Sequence, residues 1–137
     1  MFPQDSKILV VEDSESLLRL IGEILNAEGY GNVHLAKDGS EAIGQLTMAA
    51  KVGEPFNLVI TDITMPNLGG MELLDACRES NNLKNTPFMM ITSDNSKNTV
   101  VQAVIKGVIG YIVKPIERED FMNKMREAYE RLMGSVG

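Results

Sequence analysis

The chain has 137 residues, 44% of them hydrophobic and 23% charged, enough for one globular domain with its own core and too little for two. A formal net charge of -6 and the lack of any Lys/Arg cluster argue against a nucleic-acid or anionic-membrane surface. A lone cysteine, Cys77, rules out an internal disulfide, and no apolar run is long enough to span a bilayer or act as a secretion signal, which points to a reducing cytoplasm.

Along the chain, short aliphatic runs alternate with longer stretches of helical periodicity, the pattern of an α/β domain with a parallel sheet. The first run, Lys7 to Val11, ends at Glu12 and Asp13. Leu17, Leu18, Ile21, Ile24 and Leu25 follow at helical spacing, and Gly29 supplies a stop. Val33 to Ala36 predicts a second strand, expected at the sheet edge. Asp38 and Glu41 form a capping box for a second helix through Ala42, Ile43 and Leu46. Asn57 to Thr61 predicts the third strand, and a third helix is expected from Gly70 through Arg78. Pro87 to Ile91 is the fourth strand, followed by a helix capped by Asn95 or Ser96. Gly110 to Val113 is the fifth strand. The last helix, about Glu117 to Met133, carries Phe121, Met125, Ala128, Tyr129 and Leu132 on one stripe. Residues 1–6 and 134–137 are expected to fray.

The chemically active residue types fall at the carboxyl ends of these strands, where open parallel sheets place their ligand crevice. Glu12 and Asp13 follow the first strand, Asp62 the third, Thr92 the fourth and Lys114 the fifth. Three carboxylates in one place repel one another and call for a cation. Carboxylate oxygens suit a divalent ion such as magnesium, with the Thr64 backbone carbonyl available to complete the set, and no His or second Cys lies nearby to suggest zinc. The Lys114 amine and the Thr92 hydroxyl add donors for an incoming anion, so the set describes a phosphoryl site with Asp62 as nucleophile. Taken singly, each residue has a plainer reading. Asp13 serves equally well as a helix cap, Thr92 as a β-branched strand residue and Tyr111 as a partly buried aromatic. Met65-Pro66 reads as a turn, and Gly69-Gly70 as residues that need only the freedom to bend. His34 fits a surface strand position, and Met89, Met90, Met122 and Met125 fit core filling.

Four stretches in order, "VVEDS", "VITDITMPNLGG", "MMITS" and "GYIVKPI", resemble the receiver domains of two-component response regulators, of the single-domain chemotaxis or CheY-like type. The resemblance spans almost the whole chain. It implies a flavodoxin-like (βα)5 doubly wound sandwich with a five-stranded parallel sheet in the order 2-1-3-4-5. It further implies that Asp62 takes a phosphoryl group from a sensor histidine kinase. Mg2+, with Mn2+ as substitute, would be held by Asp13, Asp62 and the Thr64 carbonyl, with Glu12 assisting through water. Lys114, Thr92 and the Ser93 backbone would bind the phosphoryl group, Thr92 and Tyr111 would form the switch, and the bond before Pro115 would be cis. Such a protein catalyses its own phosphorylation and dephosphorylation but acts as a switch, and a monomer is expected. Its output would be a signalling partner, such as the flagellar motor, docked on the face of the fourth helix, fifth strand and fifth helix.

The chain departs from the commonest pattern at Ile63, Thr64, Ser93 and Ile109. Thr64 and Asp94 lie where the family tunes water access to the acyl phosphate. The chain ends soon after the last helix, which favours a stand-alone regulator over a phosphorelay intermediate or an excised receiver. Two other function classes share parts of this pattern. A flavodoxin-like mononucleotide binder needs a Ser/Thr/Gly phosphate loop where Glu12 and Asp13 stand. An aspartyl-phosphate phosphatase of the haloacid dehalogenase type needs an acid where Thr64 stands.

Overall fold

The structure is a computed structural model and describes residues 1–93 and 96–134. Five strands, β1 (Ile8–Val11), β2 (Val33–Ala36), β3 (Leu58–Asp62), β4 (Phe88–Thr92) and β5 (Gly110–Val113), form one parallel sheet in the order β2-β1-β3-β4-β5. The helices are α1 (Glu15–Ala27), α2 (Gly39–Lys51), α3 (Gly70–Arg78), α4 (Lys97–Ile105) and α5 (Arg118–Gly134). This is the flavodoxin-like (βα)5 architecture.

The three central strands are buried at every position, as unbroken aliphatic runs covered on both faces should be. Because side chains alternate across a strand, the sheet divides the core in two. Ile8, Val10, Leu58, Ile60, Met89 and Ile91 face α1 and α5, where they meet Ile21, Leu25, Phe121 and Met125. Leu9, Val11, Val59, Phe88 and Met90 face the other way, against Leu46, Leu73 and Leu74. The four methionines read as core filler are all buried. His34 is half-exposed on the edge strand, hydrogen-bonded to Asn32 and edge-on to Phe56.

The two sites with aspartate or threonine at a strand end differ from expectation by one residue: β3 includes Asp62 and β4 includes Thr92. Both still pair with the neighbouring strand, Asp62 opposite Ile91 and Thr92 opposite Val113, so their backbones are held by the ladder. Lys7 and Asn57 instead precede their strands, and the Asn57 carboxamide oxygen accepts from the Lys7 N–H at 2.7 Å. Helix α1 is capped by the Ser14 hydroxyl, which accepts from the Leu17 N–H, so Asp13 is not the cap. Helix α4 is capped by Ser96, while Asn95 lies outside the described residues, as do Asp94 and residues 135–137. Glycines 29, 53 and 107, each at positive φ, follow α1, α2 and α4 and allow the left-handed turn that ends them. The N-terminal segment is anchored at Phe2, which is buried, packs edge-on against Tyr129 and accepts a 2.8 Å hydrogen bond from the Tyr30 hydroxyl.

Candidate phosphoryl and metal site

The carboxyl ends of four strands, β1, β3, β4 and β5, deliver side chains to one pocket above the sheet. Asp62, the last residue of β3, is 3% exposed. Its Oδ1 accepts from the Thr64 N–H at 2.9 Å, and its Oδ2 lies 2.6 Å from the Lys114 ammonium nitrogen. Lys114 follows β5; its backbone N–H donates to the Thr92 carbonyl at 2.8 Å, and its bond to Pro115 is cis. Glu12 follows β1 and is fully buried. Its Oε2 accepts from the Ser14 N–H at 3.0 Å, which ties the acid to the start of α1.

The pocket is charge-crowded. Carboxylate oxygens of Glu12, Asp13 and Asp62 all lie within 4.8 Å of one another, and Lys114 is the cation paired with two of them. Burial pushes the Glu12 carboxyl up to about 7, and its contact with Asp62 adds to the shift. For Lys114, burial alone would lower the amine; its hydrogen bond to Asp62 and its ion pair with Glu12 outweigh that and leave it above its ordinary value. Glu12 Oε1 sits 3.1 Å from the Lys114 nitrogen, within ion-pair reach, yet is buried with no aligned hydrogen bond. Such an under-coordinated oxygen costs free energy unless a further positive partner arrives. An all-oxygen donor set with surplus negative charge and one under-satisfied oxygen fits a hard divalent cation.

The remaining expected site residues are placed as follows. Thr92 is buried at the end of β4 and Ser93 is exposed just beyond it. Tyr111 is half-buried on β5 opposite Met90, while Thr92 is opposite Val113. Since paired residues of a parallel ladder share a face, Tyr111 and Thr92 lie on the same side of the sheet, the side that carries Ala103 of α4 in its core.

Sequence reading missed the reason for Gly69-Gly70. Neither has positive φ; the left-handed residue of this loop is Asn67, at φ 69°. What the glycines supply is closeness. A Cβ on Gly69 would stand 2.6 Å from the Ile63 carbonyl oxygen, and one on Gly70 would overlap the Asp62 carbonyl oxygen. The start of α3 therefore lies directly on the end of β3, with the Gly70 N–H donating to the Ile63 carbonyl at 2.9 Å. Gly39 does the same at the start of α2, where a Cβ would stand 2.6 Å from the Leu68 side chain. The "LGG" string signalled small residues but could not show which backbone they admit.

Comparison with known proteins agrees with this geometry. The profile of the response regulator receiver domain matches residues 8–126. Chemotaxis protein CheY-3 of Vibrio cholerae is 35% identical over 94% of this chain and 95% of its own length. Chemotaxis protein CheY of Pseudomonas aeruginosa is 33% identical over 93% and 99%. Among solved structures, CheY4 of Vibrio cholerae superimposes with a TM-score of 0.80 at 30% identity, covering 90% of this chain and 98% of its own. A chain of the CheX–CheY–BeF3–Mg2+ complex of Borrelia burgdorferi gives 0.81 at 27%, covering 90% and 89%. Receiver domains bind Mg2+ at an acidic pocket, and the pocket of Glu12, Asp13 and Asp62 is compatible with that ion. The chain belongs to the response regulator receiver domain family and is of the CheY-like type.

Proposed function

We propose that the chain is a stand-alone, CheY-like response regulator that accepts a phosphoryl group on Asp62 from the phosphohistidine of a sensor kinase. The observation that carries this reading is the Asp62 carboxylate, buried at a strand end with the Lys114 ammonium 2.6 Å away and two further acids beside it. An Asp62 oxygen attacks phosphorus, the P–N bond breaks, and the electron pair stays on the imidazole. Lys114 then pairs with a phosphoryl oxygen, and the Thr92 hydroxyl and Ser93 N–H donate to the others. Asp13, Asp62 and the Thr64 carbonyl, with Glu12 through water, would hold Mg2+, or Mn2+ in its place, which offsets charge on the transferring group. Attack of water on the acyl phosphate releases phosphate and restores Asp62, so the chain resets itself.

The switch runs through Thr92 and Tyr111. As the Thr92 hydroxyl turns toward the phosphoryl group, the Tyr111 ring moves inward on the same face, and the population of α4 positions shifts with it. The surface that reads this out is α4-β5-α5, in support of which α4 exposes Val101, Val104 and Ile105. The partner there would be a signalling protein, such as the flagellar motor, in the cytoplasm; among the described residues no helix is long and apolar enough to cross a membrane. The receiver works as a monomer.

Incubation with acetyl phosphate and Mg2+ followed by intact-mass measurement tests the chemistry. Wild type gains one phosphoryl group, and Asp62→Asn or EDTA abolishes the gain; equal labelling of Asp62→Asn overturns the assignment. Amide hydrogen exchange with beryllofluoride and Mg2+ tests the switch. Changes are expected across residues 97–108 and around Tyr111, much reduced in Thr92→Ala; changes confined to the loops beside Asp62 in both proteins refute the coupling.

A further inference from the structure

The acidic pocket occupies the carboxyl ends of the strands, and the amino ends close around a second concavity of about 600 Å3. It lies where the N-terminal segment, the residues before β3, the α3–β4 loop and the last turns of α5 meet. Its size is within the range of ordinary small-molecule sites, about 300–1,000 Å3. Phe2, Phe56 and Tyr129 give it apolar walls. Ser6 and Thr86, only 5% and 8% exposed, line it with hydroxyls that enter no hydrogen bond among the described residues.

Beside Asp5 and the Tyr129 hydroxyl, the rest of the polar lining is carboxamide: Asn57, Asn81, Asn82 and Asn85. Asn57 is fixed by its 2.7 Å bond from the Lys7 N–H, which leaves its NH2 group to donate. Asp5 is the single charged residue of the lining. An anionic ligand would find no cation here and would be repelled by that carboxylate. A ligand whose groups each donate and accept, set on a ring with an apolar face, finds a partner for every feature: carboxamides and hydroxyls for both roles, a carboxylate acceptor, and apolar walls for the ring.

We propose that this groove binds a neutral sugar of one or two rings, at the pole opposite the phosphorylation site. Its walls include the N-terminal anchor and α5, so a bound sugar would brace the two against each other.

The test is titration of the full 15N-labelled chain with glucose, galactose, mannose and maltose, with glucose 6-phosphate as the charged arm. Expected are saturable amide shifts at Ser6, Asn57, Asn82, Thr86 and Tyr129 with at least one neutral sugar, and binding of glucose 6-phosphate that is weaker than that of glucose. Thr86→Val, which keeps the side-chain shape, and Asn82→Ala, at an exposed turn, should each weaken binding roughly 3- to 10-fold, the worth of a lost hydrogen bond. No saturable shift with any of the four sugars within their solubility overturns the proposal. So do shifts centred on Asp62, affinity for glucose 6-phosphate equal to that for glucose, or unchanged affinity in both variants.

Discussion

Helices α1 and α4 both pack on the same sheet, on opposite faces, and they are attached very differently. Helix α1 buries Leu18, Ile21, Gly22, Ile24 and Leu25; the nine residues of α4 bury Ala103 alone and expose Val101, Val104 and Ile105. Near its end, α4 is held by Lys106, whose ammonium lies 2.7 Å from Asp75 of α3 in a partly exposed pair. Burial of apolar surface is what makes a helix costly to move, at about 25 cal/mol per Å2. One helix is thus part of the core, and the other rests on it. A segment with few buried contacts opens at low free energy, the property required of an element that moves when a distant site is occupied. The fold keeps its rigid attachment on the α1 and α5 side and leaves its movable one on the α4 side.

The largest expected effect tests this contrast in stability. Phe121→Ala, on the α1 and α5 side, should lose about 3–5 kcal/mol in denaturant unfolding, because a fully buried ring leaves a cavity. Ile105→Ala, at 78% exposure, should change stability by no more than about 0.5 kcal/mol. Comparable losses at both positions would remove the distinction.

A smaller effect comes from pH, since the well-packed side also carries the electrostatic burden through Glu12 and its bond to Ser14. The folded-state value of Glu12 is about 7 against an ordinary 4.5. The folded state therefore holds this proton more tightly than the unfolded state. Its contribution is fully present below about pH 4.5 and is lost as pH rises through about 7. For metal-free protein the loss is at most about 3 kcal/mol. Urea unfolding between pH 5 and 8 should show the decline in wild type and a flatter curve in Glu12→Gln. Parallel curves would place the strain elsewhere.

The smallest effect is at the Lys106–Asp75 pair. Exposed ion pairs contribute about 0–1 kcal/mol, so Asp75→Asn should barely alter global unfolding. It should instead speed amide exchange within α4 while leaving α1 unchanged. Equal acceleration in both helices would mean that α4 opens only when the whole chain unfolds.

The sequence made the site legible because each acid, hydroxyl and amine interrupts an apolar run, and such interruptions line up at one end of a parallel sheet. Short aliphatic runs alternating with stretches of helical periodicity carried most of the helix and strand assignments, and the Asp38–Glu41 capping box the start of α2, for the same reason: the signal is local. Less local facts were hidden. In "NTVVQAVIK" the apolar residues surround the helix, so nothing in their spacing announces that Ala103 faces inward while Val104 and Ile105 face out. Phe2 stands in a terminal segment that looks dispensable, and only the folded chain brings Tyr129 to it. Likewise, Asp13 and Ser14 are both good caps by type, and only the folded chain shows Ser14 capping α1 while Asp13 joins the acidic cluster.

The Asp62 loop has a tolerant tip and an intolerant base. Thr64 is exposed and its bond to Asp62 uses only a backbone N–H, whereas Gly69 and Gly70 admit no side chain at all. Nineteen of the twenty amino acids retain that N–H, and proline alone lacks it. Position 64 is therefore a place where lineages, or a laboratory library, can diversify what meets the solvent beside the Asp62 carboxylate while the carboxylate itself stays where it is.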